Sequence, residues 1–124
     1  MSTAIEPGTG LGTCDRLVLL HDLDLLLHDL EDPASRQRLR KLGLAGDGAE
    51  RVRAVRERVA AMIEARWLHH YERARTRYGR GLAAVRQHVC TGCHVRLPVT
   101  ARPREGVEPL PTTCPGCGRL LAWL

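Results

Sequence analysis

The chain has no phenylalanine and only two tryptophans, two tyrosines and two methionines in 124 residues. An apolar fraction of 44% carried by Leu, Val and Ala suits helices packed along a seam better than a thick globular core. Lysine is almost missing: one Lys stands against 18 Arg. Long hydrophobic runs are missing too. The most apolar stretch, Leu17–Leu30, is interrupted by His21, Asp22, Asp24, His28 and Asp29. That excludes a membrane span, and the N-terminus lacks the basic region of a signal peptide, so a cytoplasmic protein is expected. There is no Gly-rich phosphate loop and no carboxylate pair that helix charge does not already explain. A non-enzymatic protein is therefore expected.

Against these absences stand five cysteines, four of them in two pairs. Cys90-Thr-Gly-Cys93 and Cys114-Pro-Gly-Cys117 are separated by 20 residues. Two Cys-x-x-Cys turns at that spacing close a tetrahedron of thiolates around one ion, and Zn²⁺ is favoured over an iron–sulfur cluster by the paired arrangement. In a reducing cytoplasm such pairs read as a metal site rather than as disulfides. The expected ligands are Cys90, Cys93, Cys114 and Cys117, with Gly92, Gly116 and Gly118 letting backbone N–H groups turn toward sulfur. Four thiolates leave no open coordination position, so the ion is structural. His94, directly after a ligand, points elsewhere, and Cys14 is read as a small residue near a helix start. The last 35 residues could not fold unaided, and a staple there is what a small core requires.

Read in order, residues 1–13 form a flexible tail, 14–79 an antiparallel, coiled-coil-like helical hairpin, and 80–124 a zinc-ribbon domain. From Asp15 to Leu30 the leucines at 20, 23, 27 and 30 recur at helical spacing, and Asp15 is placed to cap. His21 and His28, seven residues apart, lie about 10 Å apart along a helix and are not a metal pair. Asp32-Pro33 predicts a restart, with Asp as cap and Pro at the first helical position. A short helix over 33–42 follows, with Leu39 and Leu42 facing inward and Gly43 ending it. Gly43–Gly48 is a turn by composition, and Asp47 with Glu50 resembles a capping box. One long helix is then predicted, its stripe running from Val52 through Ile63, Trp67 and Tyr71 to Tyr78. Because this arm outreaches the first, its end must lie against the Cys module or a partner, with Trp67 and Tyr71 as anchors and His69 and His70 at the rim. Leu82–Val89 reads as one strand leading into Cys90. Val95–Val99 and Val107–Leu110 read as short strands, and Leu120–Leu124 as a final strand with an exposed apolar edge.

Net charge is +5, unevenly spread. Residues 1–42 carry 5 basic and 7 acidic side chains, residues 43–89 carry 10 and 5, and residues 90–124 carry 4 and 2. The Arg excess could be a phosphate-binding face. Arg66, Arg73, Arg75, Arg77, Arg80 and Arg86 are its candidates for RNA or DNA, with Arg73, Arg77 and Arg80 on one face if the helix persists. Glu57, Glu64 and Glu72 interleave with the arginines, as on a solvated helix, and no aromatic ladder supports base stacking.

Three segments carry a resemblance: Tyr78-Gly-Arg-Gly-Leu-Ala-Ala-Val, Val89-Cys-Thr-Gly-Cys-His-Val-Arg-Leu-Pro, and Cys114-Pro-Gly-Cys-Gly-Arg-Leu-Leu-Ala-Trp. With the opening Leu19-Leu20-His21-Asp22-Leu23-Asp24, they resemble the bacterial C4-type zinc-ribbon family. Its members place a coiled-coil hairpin ahead of a C-terminal ribbon, and they are regarded as non-enzymatic adaptors or nucleic-acid-binding proteins. The hairpin here is about half the usual length, so only the four ligands carry over. The resemblance thus implies an adaptor for a protein partner. A nucleic-acid-binding protein is the alternative. A third form is an RNA polymerase regulator of the DksA type, which would need acidic residues at the hairpin tip. Asp47 and Glu50 are the only ones available, and capping explains both.

Overall fold

The computed structural model describes residues 8–43, 48–103 and 110–123. Its described residues form four helices and one three-stranded sheet. The elements are α1 (Thr13–Glu31), α2 (Pro33–Lys41), α3 (Gly48–Ala61), α4 (Ala65–Tyr78), β1 (Leu82–Arg86), β2 (Val89–Cys90) and β3 (Leu120–Trp123), with a short 3₁₀ turn at Val99–Ala101. The tail expected over 1–13 falls partly outside the described residues. Its described end is held: the Gly8 carbonyl accepts from Arg16 Nε at 3.1 Å.

α1 begins after Gly12, which caps without a side chain; Asp15 lies in the first turn rather than at the cap. The restart at proline is as the local chemistry dictates. Asp32 leaves the helical region (φ −64°, ψ 126°) and its carboxylate accepts from the Ser35 N–H at 3.1 Å, with Pro33 opening α2. The inward face expected of α2 is not found: it buries no residue, Leu39 is half-buried and Leu42 is 71% exposed. A single extended residue, Asp32, separates α2 from α1 and turns the chain, and among the described residues no neighbour buries a side chain of α2. The predicted turn at 44–47 and the Asp47 half of the capping box lie outside the described residues.

The single long helix predicted after residue 48 is two helices. Met62 and Ile63 donate to the carbonyls three residues back (3.0 and 3.1 Å), and Glu64 turns to φ −53°, ψ 136° before α4 begins. No Gly or Pro marks the break; tertiary contacts make it. Arg56 on α3 bonds Glu72 on α4, yet sixteen residues of continuous helix would hold them about 24 Å apart. The carbonyl of Met62, freed by the break, accepts from Arg16 of α1 at 3.2 Å. The contacts between α1 and α3 descend along one chain as they rise along the other: Glu31 with Arg53, Asp24 with Arg56, Arg16 with Met62.

The core spans both parts of the chain. Leu17 and Leu20 of α1 meet Val59, Ala60 and Ile63 of α3 and its end, Tyr71 of α4, and Leu82 and Leu120 of the sheet. Tyr71, Leu17, Leu20, Leu120 and Val59 are almost fully buried, each apolar side chain contributing about 1.5–3 kcal/mol of transfer free energy. Tyr71 sits against the backbone of Gly81, where a Cβ would lie 2.5 Å from the ring and from the Tyr71 carbonyl. Trp67 packs on the edge of the same cluster, and His69 and His70 are exposed.

The sheet order is β2-β1-β3. The strand expected to run from Leu82 into Cys90 instead ends at Arg86. Gln87 and His88 adopt φ of 51° and 62°, two consecutive left-handed residues whose twist suits a two-residue hairpin, and β2 returns antiparallel to β1. β3 pairs parallel to β1, Leu82 opposite Leu120 through Val85 opposite Trp123. That register carries Leu120 and Leu121 into the two cores, 1% and 6% exposed, so neither belongs to the exposed apolar edge expected there; Trp123 is half-buried, and Leu124 lies outside the described residues. Within 95–99 only Arg96 pairs, as an isolated bridge to Val89. The strand expected at 107–110 falls outside the described residues save for Leu110, which is 68% exposed.

Candidate metal centre

Each cysteine pair sits in the same backbone knuckle. In the first, the Cys90 N–H donates to the Val95 carbonyl at 3.0 Å and the His94 N–H to the Cys90 carbonyl at 2.7 Å. In the second, the Cys114 N–H donates to the Arg119 carbonyl at 2.8 Å and the Gly118 N–H to the Cys114 carbonyl at 2.9 Å. Both pairs of bonds have the same sequence offsets, and so do the flanking bridges, Val89 with Arg96 and Thr113 with Leu120. The fifth residue of each knuckle must be left-handed: Gly118 has φ 79°, and His94 takes φ 64° in the equivalent place. That conformation, uncommon for a non-glycine residue, is what the knuckle demands of His94. Its side chain is exposed.

The two knuckles face one another. β1 and β2 present the first, with the Thr91 N–H and hydroxyl both donating to the Ala84 carbonyl (3.0 and 2.7 Å). The strand entering β3 presents the second, where the Leu121 N–H donates to the Thr112 carbonyl at 2.9 Å. The four Sγ atoms of Cys90, Cys93, Cys114 and Cys117 lie within 4.8 Å of one another. Cys90 and Cys117 are 4.0 Å apart and Cys93 and Cys114 are 3.5 Å apart. A disulfide would close to about 2.05 Å. A tetrahedral ion with metal–sulfur bonds of about 2.3 Å sets sulfur–sulfur distances of about 3.8 Å, between the two found. The residues therefore fit a four-coordinate metal ion. Cys90, Cys114 and Cys117 are buried and Cys93 is half-buried, and none is in a disulfide.

The electrostatics of the thiols are uneven. Burial pushes Cys90 up and Cys114 up to about 12. Burial also opposes ionisation of Cys117, but the backbone and guanidinium N–H groups of Arg119 and the neighbouring thiols outweigh it and bring Cys117 down to about 7. Backbone N–H groups of Gly92 and Cys93 serve Cys90, and those of Gly116 and Cys117 serve Cys114. Buried thiolates held in this way still need a cation to balance them, because an isolated buried charge is costly.

Arg119 carries no pattern in the sequence that marks it as part of the site. Its guanidinium lies over the Tyr78 ring at 4.2 Å and against Gly92, where a Cβ would come 2.5 Å from Nη1. It thus ties the end of α4 to both knuckles. Arg56, too, has the sequence surroundings of a solvated face but is not on one. It is 8% exposed, bonded to Asp24 at 2.9 Å and to Glu72. The only signal for it was Asp24, an acid placed amid the leucine seam of α1.

The six arginines assigned to nucleic acid do not stay together. Arg75 turns to Glu72 at 2.9 Å and Asp24 at 3.7 Å. α4 ends at Tyr78 with Gly79 at φ 82°, so Arg80 is off the helical face it was expected to share with Arg73 and Arg77. Arg86 ends β1, exposed. Arg66, Arg73 and Arg77 remain along α4, all exposed. No helix among the described residues is long and apolar enough to cross a membrane. Comparison with family models, curated proteins and solved structures returned no match.

Proposed function

We propose that the chain is a non-enzymatic adaptor, a shortened antiparallel helical hairpin joined to a zinc ribbon. The observation that carries this reading is the four-sulfur cluster, in which all four thiols converge on one point. An ion held there keeps no position for water or substrate. All-thiolate ligation favours Zn²⁺ among common cellular ions, and free paired thiols fit a reducing cytoplasm. The resemblance to bacterial C4-type zinc-ribbon proteins supports the same reading.

With Leu120 and Leu121 buried, the partner surface is better sought where α4 passes the ribbon. A cleft of about 500 Å³ opens there, lined by Trp67, Leu97, Pro98, Ala101, Pro111 and Pro115. Apolar, aromatic-lined concavities of this size suit a side chain or short segment of a protein partner. Native mass spectrometry should find one zinc per chain and none after Cys93→Ser. Affinity purification of the tagged chain from its host should recover a protein of defined mass that an Ala101→Arg variant, still carrying zinc, fails to recover. An identical set of proteins on both baits, or none on either, refutes the adaptor reading.

A further inference from the structure

We propose that His70, Arg73 and Arg77, with the second cysteine knuckle as facing wall, form a groove that, extended along the same face of α4 by Arg66, binds the phosphate backbone of a nucleic acid. At 100° per residue, positions 66, 70, 73 and 77 fall within about 60° of one another around α4, and they rise about 16 Å along it. His70, Arg73 and Arg77 line a groove of about 320 Å³ whose other side is the Cys114–Gly118 knuckle. Among the described residues no carboxylate lines that groove.

The pairing of the acids explains why the stripe is free to take an anion. Glu72, the one acid within α4, is drawn to the opposite side of the helix by Arg56 and Arg75. Among the described residues no ion pair involves Arg73 or Arg77; Arg77 only stacks on Tyr78, at 5.2 Å. Arg53, Arg56 and Arg75, by contrast, are all held by carboxylates. Arg66 meets Glu64 at 3.3 Å with both side chains 61% exposed, a contact of little worth that an incoming phosphate displaces. Guanidinium groups repeated along 16 Å match a polyanion with regularly spaced charges better than a single phosphoryl group. Few bases could stack here, so binding is to backbone and is indifferent to sequence.

The test is fluorescence anisotropy of a labelled 20-nucleotide single strand of mixed sequence. It uses the full chain with zinc, between 50 and 200 mM salt. Three phosphate contacts give a slope of log K on log salt of about −2 for a single strand. Arg73→Ala/Arg77→Ala should weaken binding at least tenfold and flatten the slope to about −0.7, one remaining contact. Arg53→Ala/Arg58→Ala, which removes the same net charge from α3, should change affinity less than twofold. Ala101→Arg should bind the strand no worse than wild type, which separates this groove from the adaptor cleft. No binding at 50 mM salt overturns the proposal. So does equal loss in the two arginine pairs, or a serine-phosphorylated peptide that binds more tightly than the strand. Zinc content measured on each sample shows whether the knuckle wall is intact.

Discussion

Replacing Arg56 by methionine tests whether the α1–α3–α4 junction is ordered by a buried ion network. Arg56 and Asp24 have side chains only 10% and 9% exposed. Arg56 donates to Asp24 Oδ1 at 2.9 Å and Oδ2 at 3.4 Å, and to Glu72. Removing one partner of a buried pair costs about 3–5 kcal/mol, because the other charge is left uncompensated. Asp24 would keep the Tyr71 hydroxyl at 2.6 Å and Arg75 at 3.7 Å, and Glu72 would keep Arg75 at 2.9 Å. The loss should therefore fall near the lower end, about 3 kcal/mol, a large share of the 5–15 kcal/mol typical of a domain. For a chain of this length that lowers Tm by about 10 °C. Urea unfolding at fixed zinc concentration measures it. The triple variant Asp24→Leu/Arg56→Met/Tyr71→Phe removes the network together with its desolvation cost, and should recover to within about 1 kcal/mol of wild type. A loss below 1 kcal/mol in Arg56→Met, or a triple variant no more stable than the single, would refute the reasoning.

Three further outcomes follow from particular positions. Gly81→Ala should destabilise by at least about 2 kcal/mol in the same urea assay, since its Cβ meets the Tyr71 ring and carbonyl at 2.5 Å and backbone cannot yield cheaply. His94→Gly should stabilise by about 0.5–1 kcal/mol, because it relieves a left-handed residue at φ 64° as Gly118 already does in the second knuckle; an unfolding midpoint at or below that of wild type refutes this. Zinc titrated calorimetrically at pH 7.5 in buffers of different ionisation enthalpy should release at least two protons per ion. Cys90 is raised and Cys114 lies at about 12, so both are protonated in the metal-free site and must lose a proton to bind. Affinity should accordingly fall as pH is lowered from 8 to 6; a pH-independent affinity overturns the assignment.

What the sequence shows and what it hides divide along one line, local against distant chemistry. The cysteine spacing, the Asp32-Pro33 restart and the end of α4 at Gly79 are properties of a few adjacent residues, and each is found where expected. The outcome differs wherever a partner lies far along the chain. Arg56, amid Glu57 and neighbouring arginines, has the local pattern of a solvated helix; its partner Asp24 is 32 positions away. Leu120 and Leu121 look like an exposed edge until β3 is placed parallel to β1, a pairing no neighbouring residue announces. The β1–β2 turn was hidden for a different reason. Gln87 and His88 are not residues that ordinarily mark φ > 0, and they are held there by the bond from the Leu97 N–H to the His88 carbonyl at 2.6 Å and by the first knuckle. Of the arginine candidates, helical periodicity sets Arg75 about 200° away from Arg73, but it does not name Asp24, 51 positions back, as the acid that Arg75 meets there.

The break between α3 and α4 is where length and burial settle the shape of the molecule. α1 has 19 residues and spans roughly 28 Å. An uninterrupted helix from Gly48 to Tyr78 would span roughly 46 Å, leaving its last turns with nothing to cover Tyr71 and Ala74. Folding back at Glu64 gives up two or three intrahelical hydrogen bonds, each worth about 1 kcal/mol net. In return Tyr71 is fully buried against Leu82 and Leu120, and Arg16 satisfies the carbonyl left open at Met62. This makes a sharp prediction. Glu64 already has φ −53°, within the range proline imposes, and among the described residues its N–H donates no backbone hydrogen bond. Glu64→Pro should therefore change unfolding free energy by less than about 1 kcal/mol, the lost exposed pair with Arg66 being nearly worthless. In a continuous helix the same substitution would cost about 3 kcal/mol or more. A loss of that size would mean that the helix runs on through Glu64, and that Tyr71 is not the joint between the helices and the metal module.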